Sequence, residues 1–252
     1  MYLKKERYVK ERSCFEMKEK ILKIAPNRWW GDDYDVRFVL LSKLNEIQRK
    51  IILDMGGGVG IILWNLDQSN LKINIDTSIS DLRICKTEFP EIQTICASNN
   101  HIPFRNESCD VIICANLLEV AKIIDIENNS QVNKKVVTEY PSIENILKEI
   151  KNNLKKNGEY YITTPNNEYY KGKKLDYYEL KHSLTNHFKN FRLFFFNTYP
   201  SNRKHSKLNM ANIIPKIRGK FIEQNKIIFS LLKKDEGKNK KSVSFFIEGE
   251  KE

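Results

Sequence analysis

The sequence predicts an α/β fold built on a doubly wound, largely parallel sheet. Three observations carry this expectation. From about residue 50 onward, short apolar segments that read as strands alternate with amphipathic segments that read as helices, the pattern of a sheet covered on both faces. The first two strands each end in a carboxylate, Asp54 and Asp76. The first strand then opens through Gly56, Gly57, Gly58 and Gly60 into the next helix, as a backbone does when it must pass close to a ligand.

The elements follow in order. Residues 2–24 read as a charged amphipathic helix with Leu3, Val9, Phe15, Ile21 and Leu22 among Lys and Glu, broken at Pro26. After the aromatic turn at Trp29-Trp30-Gly31, Asp33 is placed to cap a helix over 34–48 with Val36, Val39, Leu40 and Leu44 on one face. Lys50–Asp54 is a short apolar strand, and residues 59–67 read as a helix. Leu71–Asp76 alternates like a strand, Ser78–Phe89 reads as a helix, and Ile92–Cys96 is a third strand. Asp110–Ala115 is continuously apolar after its first residue, as a strand buried on both faces should be. Ser142–Leu154 carries Ile143, Ile146, Leu147, Ile150 and Leu154 at helical spacing, with Asn157-Gly158 expected to end it. Glu159–Thr164 is a fifth strand, stopped by Pro165. Asp176–Phe188 reads as a helix and Phe191–Asn197 as an aromatic strand. Residues 207–234 read as helical in part, broken near Pro215 and Gly219. A lysine-rich turn over Asp235–Lys241 precedes a closing strand, Ser242–Glu248.

Composition narrows the class. Of 252 residues, 40% are hydrophobic and 30% charged, the balance of a globular chain. No run approaches the roughly 18 apolar residues of a membrane helix, and MYLKKERYVKERSCF lacks an apolar signal core. A cytoplasmic location is expected. The five cysteines are odd in number and none has C-x-x-C spacing, so buried free thiols are expected rather than disulfides or a metal site. His182 and His187 lie five apart, which is not the helical metal-pair spacing. The net charge of +11 suits a polyanion such as RNA. Lysines spread over solvated faces account for it equally well, because Lys, Asn and Ile are abundant along the whole chain.

The glycine loop is the most informative motif. A dinucleotide fingerprint requires G-x-G-x-x-G; with Gly56 and Gly58 as its first glycines, the third falls at Ile61. A phosphate-binding P-loop requires Lys after its last glycine, and Val59-Gly60-Ile61 has none. The spacing is D-x-G-x-G-x-G. Asp76 follows Asp54 by 22 residues, the distance at which a doubly wound sheet places an acid on ribose hydroxyls. Thr77 and Ser78 are the competing reading, as helix caps.

Four segments taken in order resemble the class I S-adenosylmethionine-dependent methyltransferases, in particular the type 11 branch. They are ILDMGGGVG, INIDTS, ICASNNHIPFRNESCDVIICANLLEV and NLKKNGEYYITTPN, covering about residues 50–166. The resemblance implies a Rossmann-like sheet of seven strands, the last antiparallel, behind an N-terminal helical cap at 1–49. It implies a methyltransferase domain over 50–252, with a substrate-side insertion at 200–240. It also implies that Asp54 and the glycine loop line the methionine moiety and ribose, that Asp76 holds the ribose hydroxyls and that Thr77 flanks the adenine. Relatives place an acid four positions before an L-P-F-like triplet, here Ile102-Pro103-Phe104; this chain has Ser98 there, followed by Asn99 with a backbone N–H for the adenine ring. The resemblance places Asn116 beside the reacting methyl group. The histidine of the family's Leu-Glu-His is Val120 here, so no general base is assigned. His101 is a loop candidate for that role, with a solvated surface histidine as the competing reading.

The expected acceptor is a small or lipid-like molecule, because no specific RNA-binding module is apparent. Two alternatives stand beside it. An RNA methyltransferase would gather the basic residues of the N-terminal helix and of 203–220 on one face. A non-catalytic protein that has kept the cofactor fold would fit the departures at Ser98 and Val120.

Overall fold

The computed structural model describes residues 20, 23–24, 40–41, 43–121, 141–165, 175–196, 233–234 and 244–252. Most of the expected N-terminal helix, the aromatic turn at Trp29-Trp30, most of the 207–234 segment and the 235–241 turn lie outside them.

The chain enters the core through Leu40, Leu41 and Leu44, all buried, in a helix that gives way to a turn at residues 45–46. Strand β1 (Ile51–Met55) follows, then α1 (Ile61–Trp64) and β2 (Leu71–Asp76). Helix α1 is shorter than the expected 59–67 because Asn65 turns back on it: its Nδ2 donates to the Ile61 carbonyl at 2.8 Å. Helix α2 (Ile79–Glu88) starts where Ser78 accepts the Asp81 N–H, the bond that makes serine a good N-cap. Strands β3 (Gln93–Cys96) and β4 (Cys109–Ala115) complete the first half.

Helix α3 (Ile143–Asn153) is capped by Ser142 and buries Ile143, Ile146, Leu147 and Ile150 along one stripe. It ends at Asn153, not at Asn157-Gly158. Leu154 is already extended and pairs with Cys109, so the chain passes straight into β5 (Leu154–Pro165). Asn157 instead adopts a left-handed conformation, φ 61°, where the β4–β5 register shifts. Helix α4 (Tyr177–His187) opens with a capping box between Asp176 and Glu179. The chain closes with β6 (Phe191–Phe196), a two-residue β7 (Lys233–Lys234) and β8 (Ser244–Glu250). Residues 233–234, the only ones described in the segment read as helical in part, are extended.

The strand order is β3-β2-β1-β4-β5-β8-β6-β7. Strands β1 to β5 are mutually parallel, and β8 runs antiparallel between β5 and β6. The seven expected strands are therefore present with the last one antiparallel, and β7 adds a short edge strand paired with β6. Alternating residues face two cores. Leu53, Ile73, Ile75, Ile112 and Ile162 pack with α3 and α4 on one side. Ile52, Val111, Ile113 and Phe246 pack with Leu40, Leu44, α1 and α2 on the other. This two-sided burial explains why the central strands read as unbroken apolar runs.

Candidate functional site

Strand β1 sits between β2 and β4, and the chain winds outward from it in both directions. Ligands of open α/β sheets bind at such a switch point, beyond the carboxyl ends of the strands. The structure brings together there the glycine loop after β1, Asp76 and Thr77 after β2, Ser98 and Asn99 after β3, and Asn116 after β4.

The loop is tightly constrained. Gly56 and Gly57 donate backbone N–H bonds to the Ile75 carbonyl at 2.8 and 3.3 Å, which binds the loop to β2. Gly56, Gly58 and Gly60 have φ of 71°, 53° and 75°, the left-handed region that glycine enters without a Cβ penalty. A Cβ on Gly57 would come within 2.7 Å of Asp54 Oδ2 and would collide with Asn74 Oδ1. Among the described residues, nothing lies within 4 Å of where a Cβ on Gly58 would point. Asp54 is fully buried beneath the loop, so it would act on a ligand through the glycines that cover it.

Asp76 is shared between loop and helix. Its Oδ2 accepts the Gly58 N–H at 2.9 Å and its Oδ1 accepts the Ser78 N–H at 2.8 Å. Each carboxylate oxygen keeps a second lone pair for a ligand hydroxyl. Thr77 is exposed beside it. After β3, Ser98 is committed to a local turn: its Oγ accepts the Asn100 N–H at 3.3 Å and its carbonyl accepts the His101 N–H at 3.2 Å. Asn99 is only 4% exposed, and among the described residues its Oδ1 has no hydrogen-bond donor. An unsatisfied buried acceptor costs about 1–3 kcal/mol, so this atom is a candidate for a ligand donor. Helix α3 anchors the same loop, through Glu149 Oε2 on the Ile102 N–H at 3.3 Å and Asn145 Nδ2 on Asn100 Oδ1 at 3.2 Å.

Asn116 turns the chain sharply at the end of β4 with φ 59°. Its N–H donates to the Thr163 carbonyl at 2.8 Å, and the Thr163 hydroxyl donates to Asn116 Oδ1 at 3.2 Å. The adjacent Leu117 lies over Gly56, with Cδ1 3.0 Å from a Cβ placed there, and so forms an apolar wall that the sequence did not single out. His101 is exposed. Of the cysteines described, Cys85, Cys109 and Cys114 are buried and Cys96 is exposed. Burial, with a contribution from the Asp54 charge, raises the Cys114 thiol well above its ordinary range, which keeps it protonated and unreactive. A separate cleft is lined by Tyr161, Lys189, Arg192 and Glu248. Its buried carboxylate, Glu248, already pairs with Lys43 at 3.2 Å and Arg192 at 2.8 Å.

This geometry agrees with the comparisons. Residues 53–162 match the methyltransferase domain family. That segment contains the glycine loop, Asp76, Ser98, Asn99 and Asn116. The methyltransferase fold extends over the described chain in solved structures. A Thermotoga maritima S-adenosylmethionine-dependent methyltransferase, described as a possible histamine N-methyltransferase, is 15% identical and covers 95% of this chain and 100% of its own, with a TM-score of 0.56. The geranyl diphosphate C-methyltransferase of Streptomyces coelicolor, determined with S-adenosylhomocysteine, is 12% identical and covers 86% of this chain and 80% of its own, with a TM-score of 0.52. An uncharacterised protein of Methanocaldococcus jannaschii is 32% identical over 81 residues, or 32% of this chain. The chain spans about a third (34%) of that relative's length.

The fold also brings to this end of the sheet residues that sequence reasoning passed over. Asn74, Leu117 and Glu149 all shape the site. In LKINID, Asn74 falls on the polar side of the alternation with Lys72 and Asp76, so periodicity alone did not distinguish it.

Proposed function

We propose that this chain binds S-adenosylmethionine across the carboxyl ends of β1 to β4 and transfers its methyl group to a small or lipid-like acceptor. The observation that carries the reading is the Gly58 position, a left-handed glycine whose Cβ direction is clear of the described residues and whose N–H is held by Asp76. The residues present fit this cofactor. The Gly56–Gly60 loop gives close backbone approach for the methionine and ribose, with Asp54 supporting it from below. Asp76 offers free lone pairs to the ribose hydroxyls and Thr77 flanks the base. Ser98 and Asn99 face the adenine edge, where the unpartnered Asn99 Oδ1 suits an amino-group donor. Asn116 borders the methyl group.

When bound, the cofactor supplies a sulfonium-activated methyl group. The chain's own task is to align an acceptor and exclude water, which can lower a barrier by roughly 7–11 kcal/mol. Leu117 supplies apolar wall beside the loop, and Asn116, fixed by Thr163, holds the turn at which the acceptor would meet the cofactor. A small acceptor is supported by two structural neighbours named for small molecules, geranyl diphosphate and histamine.

RNA is the second reading, favoured by the +11 charge. The basic face it needs, over the N-terminal helix and 203–220, lies outside the described residues except for Lys20 and Lys23. No helix among the described residues is long and apolar enough to cross a membrane. Incubation with methyl-labelled S-adenosylmethionine and separated metabolite, lipid and RNA fractions tests the proposal. Label in metabolites or lipids supports it. Label confined to RNA replaces it with the second reading.

A further inference from the structure

The floor of the glycine loop is a residue that the motif does not include. Asn74 lies within β2 and has no solvent exposure. Its Nδ2 donates to the Gly58 carbonyl at 2.8 Å, while the Gly58 N–H donates to Asp76 Oδ2 at 2.9 Å. One glycine is thus held on both sides of its Cα by two side chains of a single strand, two positions apart. The amide extends further under the loop. A Cβ at Gly57 would collide with Asn74 Oδ1, and a Cβ at Gly60 would lie 3.5 Å from Asn74 Nδ2. The Asn74 amide therefore underlies the loop from Gly57 to Gly60.

We propose that Asn74 is a positioning residue for the cofactor loop. It fixes the Gly58 carbonyl while Asp76 fixes the N–H, so the loop is set before the cofactor arrives. The proposal rests on the cofactor reading above. The chemistry selects an amide. The site needs a donor toward the Gly58 carbonyl, and it must be neutral because the buried Asp54 carboxylate also abuts Gly57. Aspartate would lose the donor and set a second negative charge near the first; an apolar side chain would leave the carbonyl without its partner. A loop ordered in advance spares the ligand that ordering on binding. The connection also runs in reverse, since a ribose engaging Asp76 would act on the group that holds Gly58.

The test compares wild type with Asn74→Ala and Asn74→Asp, using the full chain. Ile247→Val, in a buried position on β8, is the control for lost stability. Affinity for S-adenosylhomocysteine is measured by calorimetry, and backbone amide exchange at Gly58 and Val59 is measured in the free protein. Loss of one neutral hydrogen bond predicts about a three- to tenfold weaker affinity for Asn74→Ala, faster exchange at Gly58, and at least as large an effect in Asn74→Asp. Ile247→Val should lose stability with unchanged affinity and unchanged exchange at Gly58. Wild-type affinity and exchange in Asn74→Ala would overturn the proposal, as would equal loss of affinity in Ile247→Val. Failure of the wild-type chain to bind S-adenosylhomocysteine would sink the cofactor reading itself. Gly58 exchange in Asn74→Ala would still decide whether Asn74 sets the loop.

Discussion

Gly58→Ala separates backbone strain from ligand contact more cleanly than any other change in the loop. The added methyl group meets nothing within 4 Å among the described residues, so it creates no collision with them. Its cost to the fold is conformational, from holding alanine at φ 53°, and left-handed backbone costs an L-residue roughly 1–2 kcal/mol. For a chain of this size about 1 kcal/mol moves the melting midpoint by roughly 2–4 °C, so the fall should be roughly 2–8 °C. The methyl group projects into the space assigned to the cofactor. Overpacking a fitted site typically costs 1–3 kcal/mol, or about 5- to 150-fold in affinity. Calorimetry with S-adenosylhomocysteine, with thermal unfolding of the same samples, reads both quantities. Gly249→Ala is the counterpart, because its Cβ would collide with the buried Tyr160 side chain away from the site. That variant should lose stability and keep its affinity. Wild-type affinity in Gly58→Ala would refute the passage of the cofactor over this glycine.

Further changes probe other parts of the site. Asp76→Ala should weaken cofactor binding by tenfold or more on the order of one lost charged hydrogen bond. It should also lower stability, because Asp76 holds the Gly58 and Ser78 N–H groups; unchanged affinity in titrations would remove it from the ribose site. Asn99→Leu should reduce cofactor affinity while the melting midpoint holds or rises, since it replaces an unpartnered buried acceptor; retained affinity would argue against a contact with adenine. For Asp110, burial pushes the carboxyl up, but the Ile51 N–H and Lys155 outweigh it and hold it below the usual carboxylate range. Its contribution to stability is therefore complete above about pH 4, its unfolded value, and is lost as pH falls through the lower folded value. Urea unfolding should show Asp110→Asn less stable than wild type by about 1 kcal/mol at pH 6, with the gap closing at more acidic pH. A gap that persists undiminished would contradict the assignment.

The sequence exposed the parts of this fold that announce themselves locally. Ser78, Ser142 and Asp176 were legible as helix starts because a capping side chain must precede the first turn. The central strands were legible because burial on both faces leaves no polar alternation. The glycine spacing and Asp76 were legible because a loop with left-handed backbone, tied down by a strand-end carboxylate, leaves few residue types possible. The remainder depended on tertiary contacts. Nothing near Asn157 marks the register shift that makes it left-handed within β5, so it was read as a helix stop. Helix α1 stops early because of a side-chain bond from Asn65 that no periodicity reveals. Asn74 read as an ordinary polar position of an alternating strand, and only the fold places its amide under the loop. Similarly, Ser98 drew attention through its position in a motif, whereas burial singles out its neighbour Asn99.

Calorimetric titration of the wild-type chain with S-adenosylmethionine bears most directly on the central claim. The account predicts saturable binding at one site per chain, weakened in both Gly58→Ala and Asp76→Ala. Absence of binding in a folded wild-type sample, or binding that neither substitution alters, would contradict it.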